Sequence, residues 1–446
     1  MLHHIFLLYL QINLDVYISL YLEQMSAEHL KNSNYIEAIE ALKEENGDNM
    51  DTWTKNALCN MALAEYKLNA YESAYTYYLL AENYKEASNV LSKIRPSEIE
   101  REYSEHIAKE VKIMKVNGLR GVQAIADLPM NFVVFKIPLS KCITGTKKEM
   151  TDEILKSTVY SHSLPKKDVF PVCWDSTTCD QIGISPLRLV LESKIHDLKK
   201  ECKTDDPKYL YHRSLVSSRC FADPKNDKEY LVPFADMLNH SNDPNVEWEF
   251  REGYFIMTTI HPVKKHTQLC DYYGPKSNYE SFLHYGFVQA NNTPLDVVRM
   301  IGELPDTAKS RLDPRYFQQA FEFELRGSYM EGTVEIFSFL RYVRSNEKKC
   351  PETLKGYFHK PISIENELWV CKMLYNMLQK ETYRRVSKSA YGIEETLAIE
   401  LLQSEMGVLV HWGGVLTDAI KILEGNKKLA KKSKNDYIVK IIKKLV

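Results

Sequence analysis

Apolar and polar positions follow two different rhythms along this 446-residue chain. In residues 26–46 and 62–84 the apolar side chains recur every three or four positions, which is the spacing of amphipathic helices. From Val111 onward, short β-prone runs are separated by turns that contain Gly or Pro, as in the run from Val133 to Pro138. Helical spacing returns near the C-terminus, with one apolar stripe at Ile364, Leu368, Cys371, Tyr375 and Leu378.

This pattern predicts an α+β protein with a β-rich middle. Residues 140–215 interrupt the β-rich part with mixed polar sequence and helical fragments such as "SPLRLVLESKIHDLKKE", so we expect a helical insert there. The predicted division of the chain is an uncertain segment at 1–25, a helical module at 26–110, a β-rich domain at 111–288 and an all-α domain at 289–446.

The N-terminal helical module contains a repeated pattern. Tyr35 stands three positions before Ala38, and Tyr71 stands three positions before Ala74, which gives an offset of 36 residues. This resembles the tetratricopeptide helix-turn-helix repeat, whose period is about 34 residues. Such repeats bury their faces by stacking, so we expect them to lean on another domain and to offer a surface to a protein partner. A plain helical hairpin is the alternative.

Composition and charge exclude several classes of protein. The chain is 44% hydrophobic and 26% charged with a net charge of -2, which is typical of a globular protein without a bulk attraction to nucleic acid or membrane. Nine cysteines without a Cys-x-x-Cys pair predict reduced thiols in the cytoplasm or nucleus, and no structural zinc. His261 and His266 also lack partnered ligands and are expected at the surface.

The first 25 residues are apolar, but they do not have the pattern of an exported protein. His3, His4 and Asp15 interrupt them, no basic region precedes them and no small-residue cleavage site follows. We therefore expect neither a signal peptide nor a membrane span here, and translation from Met25 is an alternative.

Three short motifs in the β-rich middle carry the candidate chemistry. They are a Gly turn at Arg120-Gly121, the Asn239-His240 turn in "VPFADMLNHS", and "YGPKSNYESFLHYGF" (273–287). In the last of these, Ser277 precedes an apolar helical run and Glu280 follows three residues later, which predicts a helix N-terminus.

These motifs, in this order, resemble those of SET-domain methyltransferases. They are similar to the subgroup that contains the plant Rubisco large-subunit lysine methyltransferase and the actin-histidine methyltransferase. The resemblance implies a β-rich SET domain in which the Asn-His and Tyr-Gly segments cross in a knot-like cofactor site, followed by a helical C-terminal domain that binds substrate. The family's Gly-x-Gly turn reads Leu119-Arg120-Gly121 here, so its first Gly is lost or displaced to Gly118.

The resemblance also implies roles for individual residues. S-adenosylmethionine is the expected cofactor, and the acceptor is a protein side chain. Tyr273 would sit where the methyl group passes. The expected cofactor-binding residues are Arg120, Gly121, Arg219, Asn239, His240 and Phe287. Phe221, Asp236 and Tyr285 would line the substrate channel.

Methyl transfer from a sulfonium requires alignment and not an enzyme nucleophile. The reaction is an in-line displacement, so the protein must mostly orient donor and acceptor and exclude water. An acceptor lysine, with a reference pKa of about 10.4, must arrive neutral, and a narrow apolar channel beside a sulfonium charge disfavours its ammonium form. Tyr273 would then aim the amine and need not act as a base.

The acceptor is predicted from two positions. In the resembling proteins, histidine methylation goes with an Asn two residues after the motif Arg and a Trp just before the motif Asp. Phe221 and Ala235 occupy these positions here, as in the lysine-methylating branch. We therefore expect a protein-lysine methyltransferase acting on a non-histone protein. The alternatives are a histidine methyltransferase and a SET scaffold that serves only as an adaptor.

Overall fold

The structure is a computed structural model that describes most of the chain and divides it into two compact units. The first unit comprises residues 1–145, 156–163 and 220–273, and the second comprises 146–155, 164–219 and 274–446. The described residues are 30, 34–46, 53–91, 93–116, 119–156, 164, 170–180, 182, 187–292, 294–302, 321–327, 334–345, 360–389 and 396–425. The uncertain segment at 1–25 and Gly118 therefore lie outside the described residues.

Five helices are seen among the described residues of the N-terminal part of the first unit. They are α1 (Tyr35–Asn46), α2 (Lys55–Lys67), α3 (Tyr71–Leu80), α4 (Tyr84–Leu91) and α5 (Glu98–Glu102). Small buried residues, among them Ala62 and Ala74, bring α2 and α3 close together, while Met61 and Tyr75 fill the space between the helices. A helical N-terminal region is thus confirmed, and its tetratricopeptide-like character stays a prediction.

In the part of this unit that follows α5, the described residues contain ten short strands, arranged in three sheets. The strands are β1 (Val111–Val116), β2 (Leu119–Ala124), β3 (Val133–Pro138), β4 (Ile143–Thr144), β5 (Cys220–Asp223), β6 (Lys228–Leu231), β7 (Asn239–His240), β8 (Val246–Arg251), β9 (Tyr254–Thr259) and β10 (Gln268–Asp271). The sheet orders are β1-β2-β10-β7, β3-β9-β8 and β4-β6-β5. The predicted strand at Val133–Pro138 is confirmed.

One histidine connects the N-terminal helices to the sheet that contains β2 and β10. Nδ1 of His266 lies 2.8 Å from the Tyr75 hydroxyl on α3, and Nε2 lies 2.9 Å from the Ser88 hydroxyl on α4. The backbone of His266 is bonded to β2, because Gln123 Nε2 donates to its carbonyl over 2.7 Å. The prediction that both histidines lie at the surface is therefore wrong for His266. His261 is exposed as predicted.

The second unit is mainly helical. Its elements are α6 (Lys147–Lys156), α7 (Ser176–Asp180), α8 (Leu187–Cys202), α9 (Pro207–Arg219), α10 (Asn278–Tyr285), β11 (Val297–Gly302), β12 (Phe321–Arg326), α11 (Val334–Arg344), α12 (Ile364–Ser389) and α13 (Thr396–Leu423). Helices α6 to α9 occupy the region where the sequence predicts a helical insert. Helix α9 continues to Arg219, because its buried Leu210, Leu215 and Val216 keep helical spacing up to the first residue of β5.

The C-terminal region is helical, but it is not all-α as predicted. Strands β11 and β12 form an antiparallel pair whose register runs from Val297↔Arg326 to Gly302↔Phe321. Residues 321–326 read Phe-Glu-Phe-Glu-Leu-Arg, an apolar-charged alternation with the period of a strand. The buried side chains of Phe323 and Leu325 join the core that α11, α12 and α13 share.

Helix α13 is long and apolar enough to cross a membrane by length and composition. In this structure ten of its residues, Trp412 and Leu416 among them, are buried in the second unit. Core helices of globular proteins have the same composition, so its length carries no assignment to a membrane. The α+β fold class is confirmed.

Candidate cofactor-binding and active site

The Asn239-His240 motif and the Tyr273 motif lie side by side in the first unit. Strand β7 runs parallel to β10 with Asn239 opposite Cys270 and His240 opposite Asp271. Asn245 holds the two segments together. Its backbone N–H donates to the Cys270 carbonyl, and its side-chain oxygen accepts from the Cys270 N–H over 2.9 Å. Two motifs that are distant in the sequence therefore share one sheet edge.

Asn239 also connects this edge to Arg120 and Gly121, which lie within strand β2 and not in a turn as predicted. Its Nδ2 donates to the Arg120 carbonyl over 2.8 Å and to Oε1 of Gln268 over 2.9 Å. Gly121 lies against the same group, because a Cβ there would be 2.9 Å from Asn239 Nδ2 and 3.0 Å from Gln268 Cδ. Any larger residue at position 121 would displace one of these two side chains, so glycine leaves room for both. Sequence reasoning missed Gln268.

Tyr273 is held by two residues of the Asn-His segment, His240 and Leu238. Its N–H donates to Nδ1 of His240 over 3.1 Å, and its hydroxyl donates to the Leu238 carbonyl over 2.5 Å. The two rings stack with centroids 5.2 Å apart. Because His240 Nδ1 accepts a backbone hydrogen, the neutral ring must carry its proton on Nε2. Asn239, His240 and Tyr273 thus form one connected group, and their roles toward a cofactor stay predictions.

Strand β10 places a buried carboxyl, Asp271, and a half-buried thiol, Cys270, beside this group. Burial raises the pKa of the Asp271 carboxyl, whose charged form is stabilised by the Tyr272 N–H and by the Trp248 side chain. Burial also raises the pKa of the Cys270 thiol to about 11. A thiol with so high a pKa is not a nucleophile at neutral pH, because the thiolate is the reactive form.

Phe221 and Asp236 are both buried in the first unit. Phe221 on β5 packs edge-on against Trp248 and Phe255, with ring centroids 5.3 and 4.8 Å apart. Asp236 lies in a short 3₁₀ helix, Ala235–Met237. The residue before that helix, Phe234, is buried and has φ of 72°, a left-handed conformation that is uncommon for an aromatic residue. Phe221 and its neighbours form an aromatic cluster.

Three predicted site residues belong to the second unit. Arg219 is the last residue of α9, and Tyr285 is the last residue of α10. Gly286 ends α10 in a left-handed conformation with φ of 74°, and Phe287 follows with its ring 6.1 Å from that of Tyr285. The predicted start of α10 is confirmed, since Ser277 and Glu280 form a reciprocal capping box.

A lysine that sequence reasoning missed lies beside the end of α10. Lys194 Nζ donates to the Leu283 carbonyl over 2.7 Å and lies 2.8 Å from Nδ1 of His284. Burial lowers the pKa of Lys194 to about 8. The pKa of His284 is lowered as well, first by burial and then by the charge of Lys194. No sequence pattern marks this contact, because it joins α8 to a helix that is distant along the chain.

Comparisons with known proteins show similarity in sequence and in fold. Residues 119–274 match the family model of the SET domain. Ribosomal lysine N-methyltransferase 1 of Saccharomyces cerevisiae is 32% identical over 205 residues, which cover 39% of this chain and 35% of that protein. N-lysine methyltransferase SETD6 of Homo sapiens is 30% identical over 90 residues, which cover 18% of this chain and 19% of that protein.

Solved structures show the same fold. The SET domain of LSMT bound to MeLysine and AdoHcy aligns with a TM-score of 0.54 and 18% identity, covering 78% of this chain and 100% of that chain. Rubisco LSMT bound to AdoMet aligns with a TM-score of 0.51 and 17% identity, covering 77% of this chain and 97% of that chain. Together with the family match over residues 119–274, these alignments show that the β-rich middle of the chain has the SET-domain fold.

The similarity to curated relatives is partial. The chain spans about a third of the first yeast relative, 35% of its length. These relatives include proteins named lysine N-methyltransferases, and the structural neighbours are bound to AdoMet or AdoHcy. Among the residues that the structure describes, no cluster of three His, Cys, Asp or Glu side chains could hold a metal ion.

Proposed function

We propose that this chain is an S-adenosylmethionine-dependent methyltransferase that modifies a lysine of a non-histone protein. The observation that carries this proposal is the connected group of Gly121, Asn239, His240 and Tyr273 within a SET domain. Three separate segments of the chain converge there through hydrogen bonds and through the close approach of Asn239 to Gly121. This convergence supports a binding site at the junction.

The residue types at this junction fit the proposed cofactor. S-adenosylmethionine carries many hydrogen-bonding groups and, on its sulfonium, a methyl group open to attack by an amine. Gly121 leaves room for the Asn239 amide beside β2, and the Asn239-His240 segment supplies backbone and side-chain polar groups. Arg120, Arg219 and Phe287 are proposed as further cofactor contacts, and Asp236 and Tyr285 as substrate contacts.

The chemistry needs a neutral amine and a group that orients it. The Tyr273 hydroxyl donates its proton to the Leu238 carbonyl, so its oxygen is left to accept a hydrogen from the substrate amine. This contact would direct the lone pair of the amine while Tyr273 keeps its own proton. The high pKa of the Cys270 thiol agrees with a mechanism that uses no enzyme nucleophile.

Lysine is favoured over histidine by the surroundings of Phe221. The Phe221 ring has no polar atom that could bond an imidazole nitrogen, and it packs edge-on against the rings of Trp248 and Phe255. An unpaired polar nitrogen is costly in apolar surroundings, whereas desolvation converts a lysine ammonium to the reactive amine. Two curated relatives are named ribosomal lysine methyltransferases, so purified ribosomes are the first substrate to test.

Transfer of a radioactive methyl group tests the proposal directly. Full-length protein is incubated with tritiated S-adenosylmethionine and either ribosomes or a protein extract. We expect label in a discrete band that maps to lysine, lost in Asn239→Ala and retained in Asn242→Ala, which changes an exposed Asn in the same loop. Label on histidine would overturn the choice of acceptor. A well-folded protein that neither binds the cofactor nor transfers label would instead be an adaptor.

A further inference from the structure

We propose that Gln268 is a positioning residue that fixes the orientation of the Asn239 amide in the cofactor site. This inference rests on the proposed function. In this proposal Gln268 does not contact substrate or cofactor. It acts through Asn239, whose Nδ2 donates a hydrogen bond to Gln268 Oε1 over 2.9 Å.

Two acceptors determine which way the Asn239 amide faces. Its Nδ2 carries two hydrogens, and the Arg120 carbonyl and Gln268 Oε1 accept one each. If the amide turned over, its oxygen would face two other oxygens. Without Gln268, the Arg120 carbonyl would accept one hydrogen of Asn239 Nδ2, and the other would lose its acceptor on Gln268. Gln268 therefore completes the pair that directs Asn239 Oδ1 away from β2 and β10.

Gln268 is itself held in place by its surroundings. Its Oε1 also lies 3.6 Å from the Cys270 thiol, a donor that favours an oxygen at that position. On the other side, the missing side chain of Gly121 leaves room for it, since a Cβ there would be 3.0 Å from Gln268 Cδ. Its main chain is paired with Gln123 on β2, and its carbonyl accepts from Asn245 Nδ2 over 2.8 Å. A rigid strand thus presents this oxygen to Asn239.

Two substitutions separate the acceptor from the shape of the side chain. Gln268→Met keeps the length but removes the acceptor, and Gln268→Glu keeps an acceptor oxygen. A single hydrogen bond is worth about 0.5–1.5 kcal/mol, so Gln268→Met should raise the Kd for S-adenosylmethionine about 2- to 12-fold. The KM for the cofactor should rise to the same extent while kcat at saturating cofactor stays within about twofold, because the lost contact acts on binding. Gln268→Glu should recover most of the affinity.

Gln123→Met is the matched control. Gln123 is a buried glutamine on the adjoining strand, and its amide donates to the His266 carbonyl and not to Asn239. It should lower thermal stability without changing the Kd for the cofactor. In an Asn239→Ala background, Gln268→Met should add little further loss, because the two residues act as one unit. Gln268→Ala tests the same point if the Met variant does not fold.

Calorimetric titration with S-adenosylmethionine distinguishes the two levels of the proposal. Wild-type protein that does not bind the cofactor would overturn both the proposed function and the role of Gln268. Wild-type binding with an unchanged Kd in folded Gln268→Met or Gln268→Ala would overturn the role of Gln268 alone. Equal losses in Gln268→Met and Gln123→Met would show a general structural effect and would also overturn it.

Discussion

A side chain at position 121 would collide with Asn239, because its Cβ would lie 2.9 Å from Nδ2 of that residue. Real Cβ atoms do not approach so closely, so Gly121→Ala must displace either Asn239 or β2. Overpacking of this kind costs about 1–3 kcal/mol. We expect a loss of stability in that range and a cofactor affinity at least tenfold weaker, measured by denaturant unfolding and calorimetry.

Gly413→Ala is the control for this substitution. Gly413 lies within α13, where a Cβ would meet nothing within 4 Å. Alanine is favoured over glycine inside a helix by about 1 kcal/mol, so this variant should be as stable as the wild type or more so. Normal cofactor affinity in Gly121→Ala would contradict the close approach.

The contacts of His266 with Tyr75 and Ser88 should stabilise the protein less in acid. Burial, followed by the charge of Lys265, lowers the pKa of His266 in the folded protein. The unfolded chain therefore binds a proton more readily, and the contribution of this residue to stability declines as pH falls through about 6.5, the pKa of an unperturbed His. The difference in melting temperature between wild type and His266→Gln should become smaller from pH 7.5 to pH 5.5. A difference in melting temperature that does not depend on pH would contradict the burial of His266 in these contacts.

A buried ion pair holds α11 to α12 in the second unit. Arg341 donates through Nε and Nη2 to the Glu367 carboxylate over 2.6 and 3.0 Å, and the side chains are 3% and 0% exposed. Removing one partner leaves a buried charge without its counter-ion. Glu367→Ala should therefore lower the free energy of unfolding, measured with denaturant, by about 3–5 kcal/mol. Glu192→Ala, which breaks an exposed pair with Arg188, should cost at most about 1 kcal/mol. Similar costs for the two variants would contradict the burial of Arg341.

Lys194 should lose its proton near pH 8, well below the value of about 10.4 that is usual for lysine. The cause is the burial of its ammonium group between α8 and the end of α10. An NMR titration of labelled lysine side chains, with Lys194→Met to assign the signal, would measure this directly. A midpoint near that of exposed lysines would show that water reaches Nζ.

The sequence revealed the features that depend on neighbouring residues. Ser277 and Glu280 predict the start of α10 because a capping box needs only a three-residue spacing. The strand of β12 was also readable in the alternation of Phe323, Glu324 and Leu325, but the helical stripes around it led to an all-α prediction. Fold class and the three motifs followed from local patterns and from a resemblance that rests on them.

The contacts of Gln268, His266 and Lys194 could not be read in this way. Each joins segments that are far apart along the chain, and each side chain belongs to a common type in an unremarkable local sequence. Hydrogen bonds between distant strands depend on the register in which the strands pair, and a single sequence does not reveal that register. Gly121 illustrates the difference, since its presence was visible while the atom that excludes a side chain there was not.

The order of strands β1-β2-β10-β7 has a consequence for how the protein is made. Strand β2 leaves the ribosome early, and its partner β10 follows only after the helical insert and the seven strands β3 to β9. Until then the edge of β2 that adjoins Gly121 has no native neighbour. Pairing of such distant segments is slow, and exposed strand edges attract other chains. We therefore expect a nascent chain halted before residue 268 to bind chaperones. It would also lack the contacts that β10 makes with Asn239.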